Sequence, residues 1–145
     1  MNEPHYEFYE TDDDRYIYHF LSIGKQNTKK QVIFYPAKDI ENTYILAFGD
    51  LLSDDSIDCD IVSNNGNIRF IMATVYKITL RFFINKPDIN LLFWGCDQRR
   101  NSLYSYIIAK NIENLELIYG IKSDGEIEQF LPHVAYNSFV IRKKV

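Results

Sequence analysis

The apolar residues of this chain change period once, and that change limits the fold more than any other feature. Through residue 48 they come in short runs rich in aromatic and β-branched side chains, at residues 16–23, 31–35 and 44–48, stopped by Gly24, Pro36 and Gly49. Such runs, bounded by turn formers, read as strands, and a brief alternation at Tyr6 and Phe8 precedes them. Beyond Ser63-Asn64-Asn65-Gly66 the spacing changes. Ile68, Ile71, Met72, Val75, Ile78, Phe82 and Phe83 recur every three to four residues, as on one face of a helix. Asn64 or Asn65 is the expected N-cap, and Pro87 sets a stop near Asn85.

The remainder alternates again. Residues 89–95 read as a buried strand, because they are apolar almost throughout. A second helix is expected over residues 98–110 with Leu103, Ile107 and Ile108 inward, then a strand at 115–121, a turn at Asp124-Gly125 and a last strand at 138–142. Residues 25–30 are polar and read as a turn. The order predicts an α+β fold: a single domain over residues 1–145, with a mixed, mainly antiparallel sheet of six to seven strands and two main helices packed on one face.

Composition supports one core. The chain is 46% hydrophobic and 25% charged, and its eleven Tyr and ten Phe supply large buried areas from few residues. Its apolar runs are far shorter than the roughly 20 residues a bilayer-spanning helix needs, so no membrane contact is expected. Met1-Asn2-Glu3-Pro4-His5 has neither the positive start nor the apolar run of a secretion signal, which predicts a cytoplasmic protein. Cys59 and Cys96 are too few for a disulfide framework and lack zinc-site spacing, in keeping with a reducing compartment. The net charge of −4 is unevenly spread: residues 1–60 hold 13 acidic and 5 basic side chains, and residues 61–145 hold 7 and 11. The halves are therefore −8 and +4. Such a separation suits an anion-binding face, and equally suits attraction between two parts of one domain.

The most specific local feature is the strand-to-helix junction that runs from Gly95 to Tyr104. A helix N-terminus carries unpaired N–H groups and a partial positive charge, so Arg99 and Arg100 in its first turn call for something negative. A bound anion would supply it: Gly95 admits close backbone approach, Arg99 or Arg100 grips a phosphate or carboxylate, and Tyr104 lies one turn beyond Arg100. Alternatively Asp97 caps the helix and supplies the charge itself.

Other clusters are less specific. Asp50, Asp54, Asp55, Asp58 and Asp60 crowd one segment, but their spacing does not match a calcium loop, and no metal or other cofactor is expected. Arg69, Lys77, Arg81 and Lys86 form a basic stripe that fits a nucleic-acid backbone or simply a solvated helix face, and the acidic total leaves that choice open. His5, His19 and His133 are far apart in sequence; His19, within an aromatic run, reads as a core or sheet-face residue. No nucleophile elbow, phosphate-binding loop or zinc-protease motif is present.

Four stretches resemble a family. They are residues 46–50, Asn64-Asn65-Gly66-Asn67 leading into Ala73-Thr74-Val75, Gly95 through Arg100 to Leu103-Tyr104, and residues 136–141. Together they resemble an uncharacterised family of small Bacteroidota proteins of about this length. The family pattern after the glycine has Ser-Thr, and Cys96-Asp97 and Arg99 depart from it, while Gly95, Arg100 and Tyr104 match. The resemblance implies a bacterial, cytoplasmic setting and no activity. The leading expectation is a binding module that recognises an anionic ligand, such as a phosphate-bearing one, at the second helix N-terminus. The alternatives are a small toxin-type ribonuclease using Arg100 with Tyr104 or His19, and a structural subunit that pairs as a homodimer; whether the chain is an enzyme stays open.

Overall fold

The computed structural model describes residues 4–11, 16–24, 27–51, 57–58 and 68–144. Among them the strands are β1 (Phe8–Glu10), β2 (Ile17–Ser22), β3 (Thr28–Pro36), β4 (Thr43–Leu51), β5 (Ile57–Asp58), β6 (Asn90–Phe93), β7 (Leu115–Ile121), β8 (Ile127–Gln129) and β9 (Ser138–Lys143). The helices are α1 (Ile68–Asn85) and α2 (Gln98–Lys110). Strands hydrogen-bond in the order β1-β2-β3-β4-β6-β9-β7-β8, with β5 beside β4. Of the pairings, β4 with β6 is parallel, while β1–β2, β2–β3, β4–β5, β6–β9, β7–β8 and β7–β9 are antiparallel. The fold is α+β with a mixed, mainly antiparallel sheet.

The sheet has more strands than the six to seven expected. The surplus over seven comes from β5 and β8, which are two and three residues long and leave no readable alternation. The two helices end where the sequence places them. The expected N-cap of α1, Asn64 or Asn65, lies outside the described residues.

The chain divides into two compact units, one of residues 1–35 and 47–82, the other of residues 36–46 and 83–145. In the first unit α1 covers one face of the strands. Phe82 stacks flat on Phe34, with ring centroids 4.1 Å apart, and meets the Tyr16 ring edge-on. Tyr18, Phe20, Val32 and Phe34 alternate inward and are fully buried, each burial worth roughly 1.5–3 kcal/mol. Thr74 returns its hydroxyl to the Phe70 carbonyl at 2.6 Å and accepts from the Tyr6 N–H at 2.8 Å, tying the N-terminal segment to the helix.

That same inner face carries a charge pair. Lys30 and Asp50, both nearly fully buried, meet in a direct ion pair. Residues 28–30 are therefore the start of β3 rather than part of a polar turn: Asp50 supplies the partner that lets a lysine lie inside. Desolvation of both charges makes such a pair costly unless contact is close.

In the second unit α2 covers the strands. Tyr104 packs edge-on against Phe93 at 5.0 Å and against Phe139 at 6.2 Å. Gly120 sits beneath Tyr136, whose ring would lie 2.4 Å from any added Cβ, so only glycine fits there. The Tyr136 hydroxyl accepts from the Leu131 N–H and donates to Glu128, both at 3.0 Å. Glu128 also pairs with Lys122 at 3.4 Å. β7 holds one extra residue against β9 between Glu116 and Tyr119, and Leu117 in that bulge takes φ +50°.

Candidate functional site

The α2 N-terminus is built as a capped helix end. Asp97, in extended conformation, accepts the Arg100 N–H at 2.8 Å through its side chain. Its backbone carbonyl accepts the Asn101 N–H at 3.1 Å, as an N-cap does. Its other carboxylate oxygen stands 3.7 Å from the Arg100 guanidinium. Asp97 thus places a negative charge where the first turn calls for one.

The four residues proposed from sequence fall in different settings. The close approach that Gly95 permits is made to α2 itself, since an added Cβ would lie 2.6 Å from the Cβ of Arg100, and the Gly95 N–H donates to Asn101 at 2.7 Å. Arg100 is half-buried and paired with Asp97. Tyr104 faces the core, and burial pushes its hydroxyl up to about 12, the nearby Arg100 charge opposing the rise. Arg99 is exposed to solvent. Neighbouring Cys96 is disulfide-bonded, contrary to the free thiol expected of a reducing compartment; Cys59, the other cysteine of the chain, lies outside the described residues.

Other sequence candidates resolve similarly. Asp50 leaves the acidic segment for its pair with Lys30, while Asp54, Asp55 and Asp60 lie outside the described residues. His19 is a sheet-face residue, hydrogen-bonded at 2.8 Å to Gln31, its register partner on β3. Of the basic stripe, Lys86 stands 5.7 Å above the Tyr44 ring.

The surface that sequence reasoning missed is the other face of the second unit's strands. Opposite residues on paired strands share a face, so register defines it directly. One row crosses Ile45, Leu92, Val140, Tyr119 and Gln129. The next holds Ser138, Ile121 and Ile127, with Trp94 one residue past the Phe93–Phe139 pair. Trp94 is 47% exposed, Tyr119 37% and Ile127 64%, while Ile45, Leu92, Ile121 and Val140 are half-buried. A third row pairs Glu116 with Arg142. The face is therefore apolar across two rows, and its margin carries both signs of charge, with the Arg142 guanidinium 3.9 Å from Asp88. Its signal lay in residues 89–95, which are apolar at successive positions and so present apolar groups on both faces of one strand.

Among the described residues, no helix is long and apolar enough to cross a membrane. No curated protein and no solved structure matches the chain. A family model does match, over residues 2–144, and the resemblance carried by the four sequence stretches agrees with it: the chain belongs to DUF6934, a family of unknown function.

Proposed function

We propose that this protein is a small interaction module that acts by docking another protein surface on the open face of β6, β7, β8 and β9. One observation carries the reading. Inward residues of these strands are covered by α2, whereas outward ones expose Trp94, Tyr119 and Ile127 together. Contiguous exposed apolar groups rimmed by polar ones mark interaction surfaces.

This reading displaces the expected emphasis on the α2 N-terminus. An anionic ligand there would compete with Asp97 for Arg100 and would find Tyr104 turned inward, leaving Arg99 as its accessible cation. The ribonuclease alternative draws no support from Tyr104, whose hydroxyl at about 12 is poorly matched to proton transfer near neutrality. A bacterial, cytoplasmic setting stays part of the proposal, with the Cys96 disulfide weighing against it.

The test is binding of an environment-sensitive hydrophobic dye to the folded protein at high dilution. Wild type is expected to enhance dye fluorescence severalfold, and the double variant Tyr119→Lys/Ile127→Lys to lose most of that gain. Equal dye binding by the two proteins, or none by wild type, would overturn the reading.

A further inference from the structure

We infer that the occupant of this face is a second copy of the same chain, the two copies packing face to face through β6, β9, β7 and β8. The inference rests on the proposal that the face is a docking surface, and adds the identity of what docks.

Three observations point to a copy. First, a strand that is apolar on both sides belongs in a sheet covered on both sides. β6 turns Leu91 and Phe93 into the core, where both are buried, and Leu92 outward, with Trp94 exposed just beyond it. One side has α2, and the other needs an equivalent apolar layer.

Second, the area is commensurate with a dimer. The exposed fractions of Trp94, Tyr119 and Ile127 leave about 300 Å² open if such large side chains present roughly 150–250 Å² each. The half-buried aliphatic neighbours bring this to about 400 Å². A standard interface buries about 800 Å² per partner, somewhat over half of it apolar. The open face thus supplies about the apolar share of one such interface, with polar rim still to be added.

Third, the face is complementary to itself. At its margin Glu116 sits opposite Arg142 in register, and the Arg142 guanidinium lies 3.9 Å from Asp88, so both signs of charge stand side by side and an identical face can set each against its opposite. Within the second row the small Ser138 sits beside Ile121, next to the level of Trp94. An isologous two-fold contact sets this same patch against itself, so a small residue beside large ones leaves room for the other copy's larger side chains. Two copies also share one twist, which lets sheets pack aligned at about 30°.

Sedimentation velocity across a wide range of concentration tests the inference. Wild type is expected to pass from the 17.1 kDa monomer to twice that mass as concentration rises. Tyr119→Lys/Ile127→Lys is expected to remain monomeric at every concentration. Ser138→Arg, which removes no apolar contact and sets a long charged side chain among the apolar rows, is expected to weaken association at least tenfold while keeping the wild-type circular dichroism spectrum. A wild type that stays monomeric throughout would overturn the inference, as would a dimer that a folded Ser138→Arg variant forms equally well. In the first case continued dye binding at the face would leave the docking proposal standing with another partner; loss of dye binding as well would remove both.

Discussion

The two units distribute polar groups over the faces of their strands differently. In the first, β3 and β4 bury a charge pair inside, between Lys30 and Asp50, and the outward side sets the exposed Tyr9 and Leu21 and the Ile17–Ile33 pair among Lys29 and the His19–Gln31 hydrogen bond. In the second, apolar groups occupy both sides, with Leu91, Phe93 and Phe139 beneath α2 and Leu92, Val140, Tyr119 and Ile127 outward. An outer face whose apolar groups are interrupted by Lys29, His19 and Gln31 is adequate against water. An apolar one gains only when something covers it, so the difference locates the surface that a partner completes.

Breaking the charge pair gives the largest expected effect. Lys30→Met leaves the Asp50 carboxylate buried without its cation and should cost about 3–5 kcal/mol in urea unfolding. Lys30→Met combined with Asp50→Leu should recover most of that loss, because the penalty belongs to the orphaned charge. A single substitution costing less than about 1 kcal/mol would show that the inner face of the first unit is wetter than its packing implies.

The second unit is sensitive to alkali instead. An unfolded tyrosine loses its proton near pH 10, whereas burial holds Tyr104 protonated up to about 12. Between those values the unfolded state binds fewer protons than the folded one, so stability falls as pH rises. The loss from this residue should set in near pH 10 and reach about 2–3 kcal/mol by pH 12. Tyr104→Phe should flatten that part of the curve, measured as the unfolding midpoint against pH.

Two substitutions in β7 sharpen the contrast between its sides. Gly120→Ala drives a methyl into the Tyr136 ring and should destabilise by about 1–3 kcal/mol. Leu117→Gly relieves a positive φ at an exposed bulge residue and should change stability by no more than about 1 kcal/mol, in the stabilising direction. Thermal unfolding of both variants alongside wild type distinguishes the tight side from the open one.

The helices were legible because periodicity and stop signals act locally: the spacing from Ile68 to Phe83 and the proline at Pro87 suffice to frame α1. Lys30 was not, since its place inside depends on Asp50, twenty residues away and read as part of an acidic segment. β8 escaped because three residues cannot show alternation. At the proposed anion site the sequence spacing was sound, with Tyr104 one turn from Arg100. What spacing could not show is which side of α2 faces the core, and Tyr104 lies on that side. The open face was half legible. An apolar run at residues 89–95 announces a strand covered twice, but a second layer contributed by another molecule leaves no mark in the sequence of one chain.

The most direct test uses Trp94, the chain's one tryptophan. Acrylamide quenching of its fluorescence should be strong in dilute protein, where nearly half of the side chain is exposed, and should fall severalfold with a blue-shifted emission as concentration rises and the face is covered. Quenching and emission that stay constant while sedimentation shows a dimer would place the contact elsewhere and contradict the account.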